Sequence, residues 1–120
     1  MSAEQREKLI ANLSGKSKDQ QGRRPSVEFQ YSRYAGAAAI ANQLIEAFKS
    51  AGWTVVRADA SQQGGPGHPQ VYVRYHPQWG SRPAAATIVL EALKSADLDP
   101  LEQVGPTGGN CDVCIVVVGS

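Results

Sequence analysis

A chain of 120 residues with 42% hydrophobic and 19% charged content fits one globular domain and excludes a predominantly disordered polymer. Twelve basic against eleven acidic residues leave a formal charge of +1, so the chain lacks the basic excess of a dedicated nucleic-acid binder. Two cysteines, Cys111 and Cys114, are too few for a secreted disulfide scaffold. The polar opening MSAEQREK carries no secretory signal, and the apolar run at 114–118 is too short to cross a bilayer. The expectation is a soluble chain, cytoplasmic as given, with membrane association only through segments not present in it.

The first element is signalled by a capping box, with Ser2 as N-cap and Gln5 three residues on. Leu9, Ile10 and Leu13 then form a helical stripe, and Gly15 is a stop signal, so a short helix is expected over 3–14. The stretch 16–25, KSKDQQGRRP, reads as a polar linker. On this reading residues 1–25 are an N-terminal helix and linker, and residues 26–120 are one α/β domain.

The alternation of VEFQY at 27–31 predicts a half-buried strand. Residues 35–51 predict the best helix of the chain, with Ile40, Leu44, Ala47, Phe48 and Ala51 on one stripe and Gly52 as its stop. WTVVR at 53–57 is a second strand, followed by a loop of breakers at 61–69. VYVRY at 71–75 is a third strand. Ser81 is a suitable N-cap and Pro83 a tolerated first-turn residue for a second long helix at 82–96. A short strand at 101–104, a second breaker loop and a final strand at 112–118 complete the order. That last strand, DVCIVVV, has no alternation and is expected to be buried on both faces.

The chain states one pattern twice. EAFKSAGW at 46–53 is answered by EALKSADL at 91–98, VEFQY by VYVRY, and GGPGHP by GPTGGN. The unit is a βαβ element that cannot bury its apolar face alone. Two copies sharing one sheet predict an α/β (α+β) fold, a ferredoxin-like mixed sheet of four or five strands with two long helices on one face. The short N-terminal helix is expected to cover part of the other face. The competing reading is convergence, because helix chemistry favours Glu, Ala, Leu and Lys in any case.

Several of these features together resemble a family of small bacterial soluble domains. They are the opening Glu4-Gln5-Arg6 with Leu9, Ile10 and Leu13, the long helix ending in Ala51-Gly52-Trp53, a Gly-rich loop, a second helix ending EALKSA, and a last apolar strand closing in Val118-Gly119. In that family the domain commonly follows transmembrane helices and has no assigned activity. The chain is more loosely similar to the C-terminal domain of LytR-type cell-envelope proteins and to peptidoglycan-binding SPOR modules. The resemblance implies the soluble part of a bacterial membrane-associated or sensory system and carries no catalytic residues.

The motifs that would carry chemistry are few. Cys111 and Cys114 form a CxxC, but a strand follows it, so the helix dipole that activates such thiols is missing. Residues three apart in a strand also point to opposite faces, and small apolar fillers are the plainer reading. A metal set of His68, His76, Cys111 and Cys114 lacks the spacing of a zinc finger. No GxSxG, HExxH, Walker or Rossmann pattern occurs. No cofactor and no catalytic residue are therefore expected.

What remains is the pair of strand-to-helix loops. Arg33 and Tyr34 precede the first long helix, and Arg74, His76, Trp79 and Arg82 precede the second. Guanidinium groups and rings beside helix N-termini suit a planar anion, whereas the alternative is that the rings close the core and the arginines stay solvated. The two loops can share one pocket only if the first and third strands run parallel. The functional expectation is a non-enzymatic binding or protein-interaction module, with an unknown protein partner or self-association. The alternative is a small anionic or nucleotide-type ligand held by these loops.

Overall fold

The computed structural model describes residues 2–14, 26–62, 67, 69–76, 84–105 and 111–119. In chain order the elements are α1 (Ala3–Ser14), β1 (Ser26–Ser32), α2 (Ala35–Ser50), β2 (Thr54–Gln62), β3 (Pro69–Tyr75), α3 (Ala84–Ser95), β4 (Leu101–Val104) and β5 (Val113–Gly119). The five strands form one mixed sheet in the order β2-β1-β5-β3-β4. β1 pairs parallel with both β2 and β5, β3 pairs parallel with β4, and β3 pairs antiparallel with β5. The fold is α+β, as the duplicated pattern implies.

The arrangement of the two copies differs from the ferredoxin-like expectation. There the βαβ unit is split, with a foreign strand between its own two. Here the strands of each unit are direct neighbours, and β5 alone lies between the units. The reason is in the sequence of β5. VCIVVVG is almost wholly apolar and buried along its length, which suits the sheet centre. β4, LEQV, is short and exposed at all four positions, which suits an edge.

Alternation along the strands builds the core. Val27, Phe29 and Tyr31 of β1 lie in register with Val113, Ile115 and Val117 of β5; Ile115 and Val117 are in register with Val73 and Val71 of β3, and Val113 and Tyr75 belong to the same buried cluster. This face receives α2 through Ala41, Leu44, Ala47 and Phe48, and α3 through Ala86, Val89, Leu90 and Leu93. Phe48 stands edge-on to Phe29 at 5.4 Å and to Trp53 at 5.2 Å between ring centres, an arrangement aromatic rings favour.

The N-terminal helix does not cover the opposite face of the sheet. α1 packs on α2 and α3, burying Leu9 and Leu13 fully. It is tied to the C-terminal ends of both: Trp53 Nε1 donates to Leu13 O at 3.4 Å, Gln5 Nε2 to Ala96 O at 2.9 Å, and Asn12 Nδ2 to Ser95 Oγ at 2.9 Å. Its apolar stripe is two residues deep, enough to fill the furrow between two helices but not to cover a sheet. The capping box is formed as read, with Ser2 N donating to Gln5 Oε1 and Gln5 N to Ser2 Oγ.

The repeated octapeptide is a helix stop used twice. After α2, Gly52 N donates to Lys49 O and Trp53 N to Phe48 O; after α3, Asp97 N donates to Lys94 O and Leu98 N to Leu93 O. This is the Schellman pattern, which needs a left-handed residue just past the helix. Gly52 has φ 89° and Asp97 has φ 59°. Phe48 and Leu93 are therefore equivalent, and both are fully buried.

Candidate functional site

The topology separates the two loops. β1 runs parallel to β5, and β3 runs antiparallel to it. The C-terminal ends of β1 and β3 thus lie at opposite ends of the sheet. Arg33 and Tyr34 sit at one end, and Arg74 and His76 at the other, so they do not form one pocket. Trp79, Arg82 and His68 lie outside the described residues, as do the linker 16–25 and Ser81.

At the first end, β1, β5 and β2 all present their C-terminal ends together. α2 begins there, directly after β1. Its N-cap, Tyr34, gives no side-chain hydrogen bond to the helix, and its ring is half exposed. Ser32, fully buried, accepts from Tyr34 N at 3.3 Å and so shapes the turn. Arg33 Nε donates to Ala60 O at 3.3 Å, which lays the guanidinium across the end of β2. Gly36 faces the Pro69 ring, whose Cγ would meet an added Cβ at 3.4 Å. First-turn amides, a guanidinium and an aromatic ring are brought to one edge.

At the other end, Arg74 is engaged rather than free. Its Nε donates to Gln103 Oε1 at 2.9 Å, on the sheet face away from the helices. Tyr75 Oη donates to Glu102 Oε1 at 3.0 Å on the helix-covered side. His76 is exposed.

A third cluster is absent from the sequence reading. Glu28 is 1% exposed on the face of β1 turned from the helices, in register with Cys114 of β5. Its carboxylate accepts from Gln30 Nε2 at 2.6 Å, from the Cys114 thiol at 3.9 Å and from the Cys111 thiol at 4.0 Å. The expectation that the two cysteines face opposite ways is overturned. The strand begins only at Val113, and the chain bends at Asp112. That bend is clamped to β1: Ser26 N donates to Asp112 Oδ2 at 2.9 Å, and Asp112 N donates to Ser26 O and Oγ at 3.2 Å each. Alternation does not apply across a bend, so both thiols reach one carboxylate.

Burial pushes the Cys114 thiol up to about 12, with the Glu28 charge adding to it and Arg74 opposing. Burial, then Glu28 and Asp112, raises the Cys111 thiol. Both sulfurs are protonated at neutral pH and are poor nucleophiles. Among the described residues, no group of three or more His, Cys, Asp or Glu is placed to hold a metal ion. No described helix is long and apolar enough to cross a membrane. An open groove of about 360 Å³ between α1 and α2, lined by Ser2, Ala3, Arg6, Asn42, Gln43 and Glu46, contains none of the candidate ligand or metal residues named from the sequence.

Comparison of the chain with protein-family models, with curated proteins and with solved structures gives no match.

Proposed function

We propose that this chain is a non-enzymatic binding module that takes a small anionic group at the β1–α2 edge. The observation that carries this reading is the start of α2. A sixteen-residue helix without a side-chain cap opens at the C-terminal ends of three parallel strands, flanked by Arg33 and Tyr34. The helix dipole and its first-turn amides favour negative charge there. In open sheets with parallel strands, ligands settle outside the C-terminal ends where connections diverge. From β1 the chain leaves through α2 to β2 on one side, while β5 pairs on the other.

Arg33 supplies a charge-assisted donor, and Tyr34 an exposed ring face for a planar group. The chemistry is recognition: among the described residues the edge offers donors and a ring and no acid–base pair. The experiment is a thermal-shift screen of nucleotides, sugar phosphates and peptidoglycan fragments, followed by Arg33→Ala. A saturable rise in melting temperature that is lost in the variant supports the reading. The same rise in parent and variant refutes it.

A second reading, protein interaction, is favoured by a different observation. β4 lies at a sheet edge and exposes Leu101 at 45% and Val104 at 65%. An edge strand with exposed apolar side chains can receive a strand from a partner or a second copy. The resemblance to domains that follow transmembrane helices would place either activity in a membrane-associated or sensory assembly.

A further inference from the structure

We infer that this chain pairs with a second copy of itself through β2, antiparallel and centred on Ala58, so that two sheets join into one. This contact lies at the sheet edge opposite β4 and rests on neither reading above.

β2 is an edge strand of nine residues, and among the described strands it pairs with β1 alone. Thr54, Val56, Arg57 and Ala58 are exposed, Val56 at 56%. Charges and bulges blunt such an edge against indiscriminate pairing, and β2 carries both. Their placement admits one partner. The register with β1 is regular from Arg57 to Asp59, opposite Glu28, Phe29 and Gln30, and it shifts on either side, between Val27 and Glu28 and between Gln30 and Ser32. The regular stretch Arg57-Ala58-Asp59 is thus bracketed by irregularities, with a small exposed residue at its centre.

That stretch is complementary to itself. Residues two apart in a strand share a face, so Arg57 and Asp59 lie together on the face turned from the helices, where they form an ion pair. Their side chains stay 64% and 38% exposed, which leaves both open to a further partner. A two-fold axis through Ala58, perpendicular to the sheet, sets Arg57 opposite Asp59 of the second copy and Asp59 opposite its Arg57. Each charge then has an opposite charge along its own strand and another across the seam, with like charges only on the diagonals. Val56 comes opposite Ala60, apolar against apolar. A relative slip of two residues destroys the match. Centred on Arg57, guanidinium faces guanidinium; centred on Asp59, carboxylate faces carboxylate, and like charges directly opposite are repelled. A slip of one residue turns the two faces against each other. The charges that deter other strands therefore specify one register with an identical strand. The contact is isologous and closes at two copies, with the helices of both on the same side of the joined sheet.

The test is sedimentation equilibrium of the parent over a dilution series into the millimolar range, at low and high salt. The parent should dimerise reversibly, and added salt should weaken the dimer because exposed charges are screened. Arg57→Glu alone and Asp59→Arg alone, each shown folded by circular dichroism, should dimerise about tenfold or more weakly, since both attractions across the seam become repulsions. An equimolar mixture of these two variants should form a heterodimer, and the double variant Arg57→Asp with Asp59→Arg should regain the parent's affinity. Val104→Lys, on the other edge, should dimerise like the parent. A monomeric parent overturns the inference, as does a dimer that survives either single charge reversal. Loss of the dimer in Val104→Lys also overturns it, by moving the contact to β4 and so supporting the interaction reading there. A mixture that fails to associate overturns the register. If a single variant does not fold, the parent's salt dependence decides: a dimer that salt leaves unchanged or strengthens refutes the charged seam.

Discussion

Exchanging the two helix stops tests whether the repeated octapeptide is a structural duplication. Asp97 holds φ 59°, a conformation that costs an L-residue about 1–2 kcal/mol, and aspartate somewhat less. Its side chain is exposed and makes no hydrogen bond with a described residue. It also sets a negative charge at the C-terminus of α3, unfavourable by about 0.3–1 kcal/mol. Glycine at this position loses about 0.5–1 kcal/mol through its freedom in the unfolded chain. The balance makes Asp97→Gly stabilising by about 1 kcal/mol, a rise of roughly 3–5 °C for a domain of this size. Gly52→Asp reverses every one of these contributions at the end of α2 and should lower the melting temperature by a similar amount. The double exchange should return close to the parent. Urea unfolding with an unchanged slope isolates the effect as stability, and added salt should remove only the charge contribution. A neutral or destabilising Asp97→Gly would refute the equivalence of the two stops.

Truncation of the paired core residues tests the packing beneath the same stops: Phe48→Ala should cost about 3–5 kcal/mol and Leu93→Ala about 2–5 kcal/mol by denaturant unfolding, and parent-like melting of both would dismiss the helix packing. Trp53→Phe keeps the ring contact but removes the donor to Leu13 O, so it should cost about 1 kcal/mol and speed amide exchange in α1 ahead of the sheet; uniform exchange would contradict the tie. The Cys114 thiol is held up to about 12 against an ordinary 9.0. The unfolded chain therefore gives up this proton first, and folding stability should fall as pH rises from about 9 towards about 12. Cys114→Ala should flatten that alkaline limb in pH-resolved melts, and an equally steep limb would assign the loss to other groups.

How far the sequence could be read depends on which force sets each feature. α2 was legible because Leu44, Ala47, Phe48 and Gly52 express a stripe and a stop locally. The burial of β5 was legible because five consecutive apolar residues admit few surroundings. The strand order was not, since it rests on β5 pairing with β1 and β3 across intervals that no local pattern encodes. The position of α1 follows from Trp53 and Ala96 each holding one end of it, a placement only the finished fold reveals. At the candidate edge, Arg33 and Tyr34 could be named from their place before a helix, but their separation from Arg74 and His76 hinged on strand direction. The Glu28 cluster was hidden more deeply. A glutamate in an alternating strand reads as a solvent-facing residue, and the CxxC spacing reads as divergent. The one available signal was Asp112, a residue poor in strands, which marks the bend that turns Cys111 back.

The central position of β5 sets the timetable of assembly. It comes last in chain order, yet it alone joins β1 to β3. Each βαβ unit can form early from near neighbours, but the two halves of the sheet cannot be sealed until this strand arrives. During synthesis both β1 and β3 wait with a bare hydrogen-bonding edge, and the waiting is longest for β1. Such closure by a distant strand is slow compared with local pairing, and open edges of this kind recruit other chains. The valine-rich segment that locks the native sheet is also the segment best suited to pair with the edges of a neighbouring, unfinished copy.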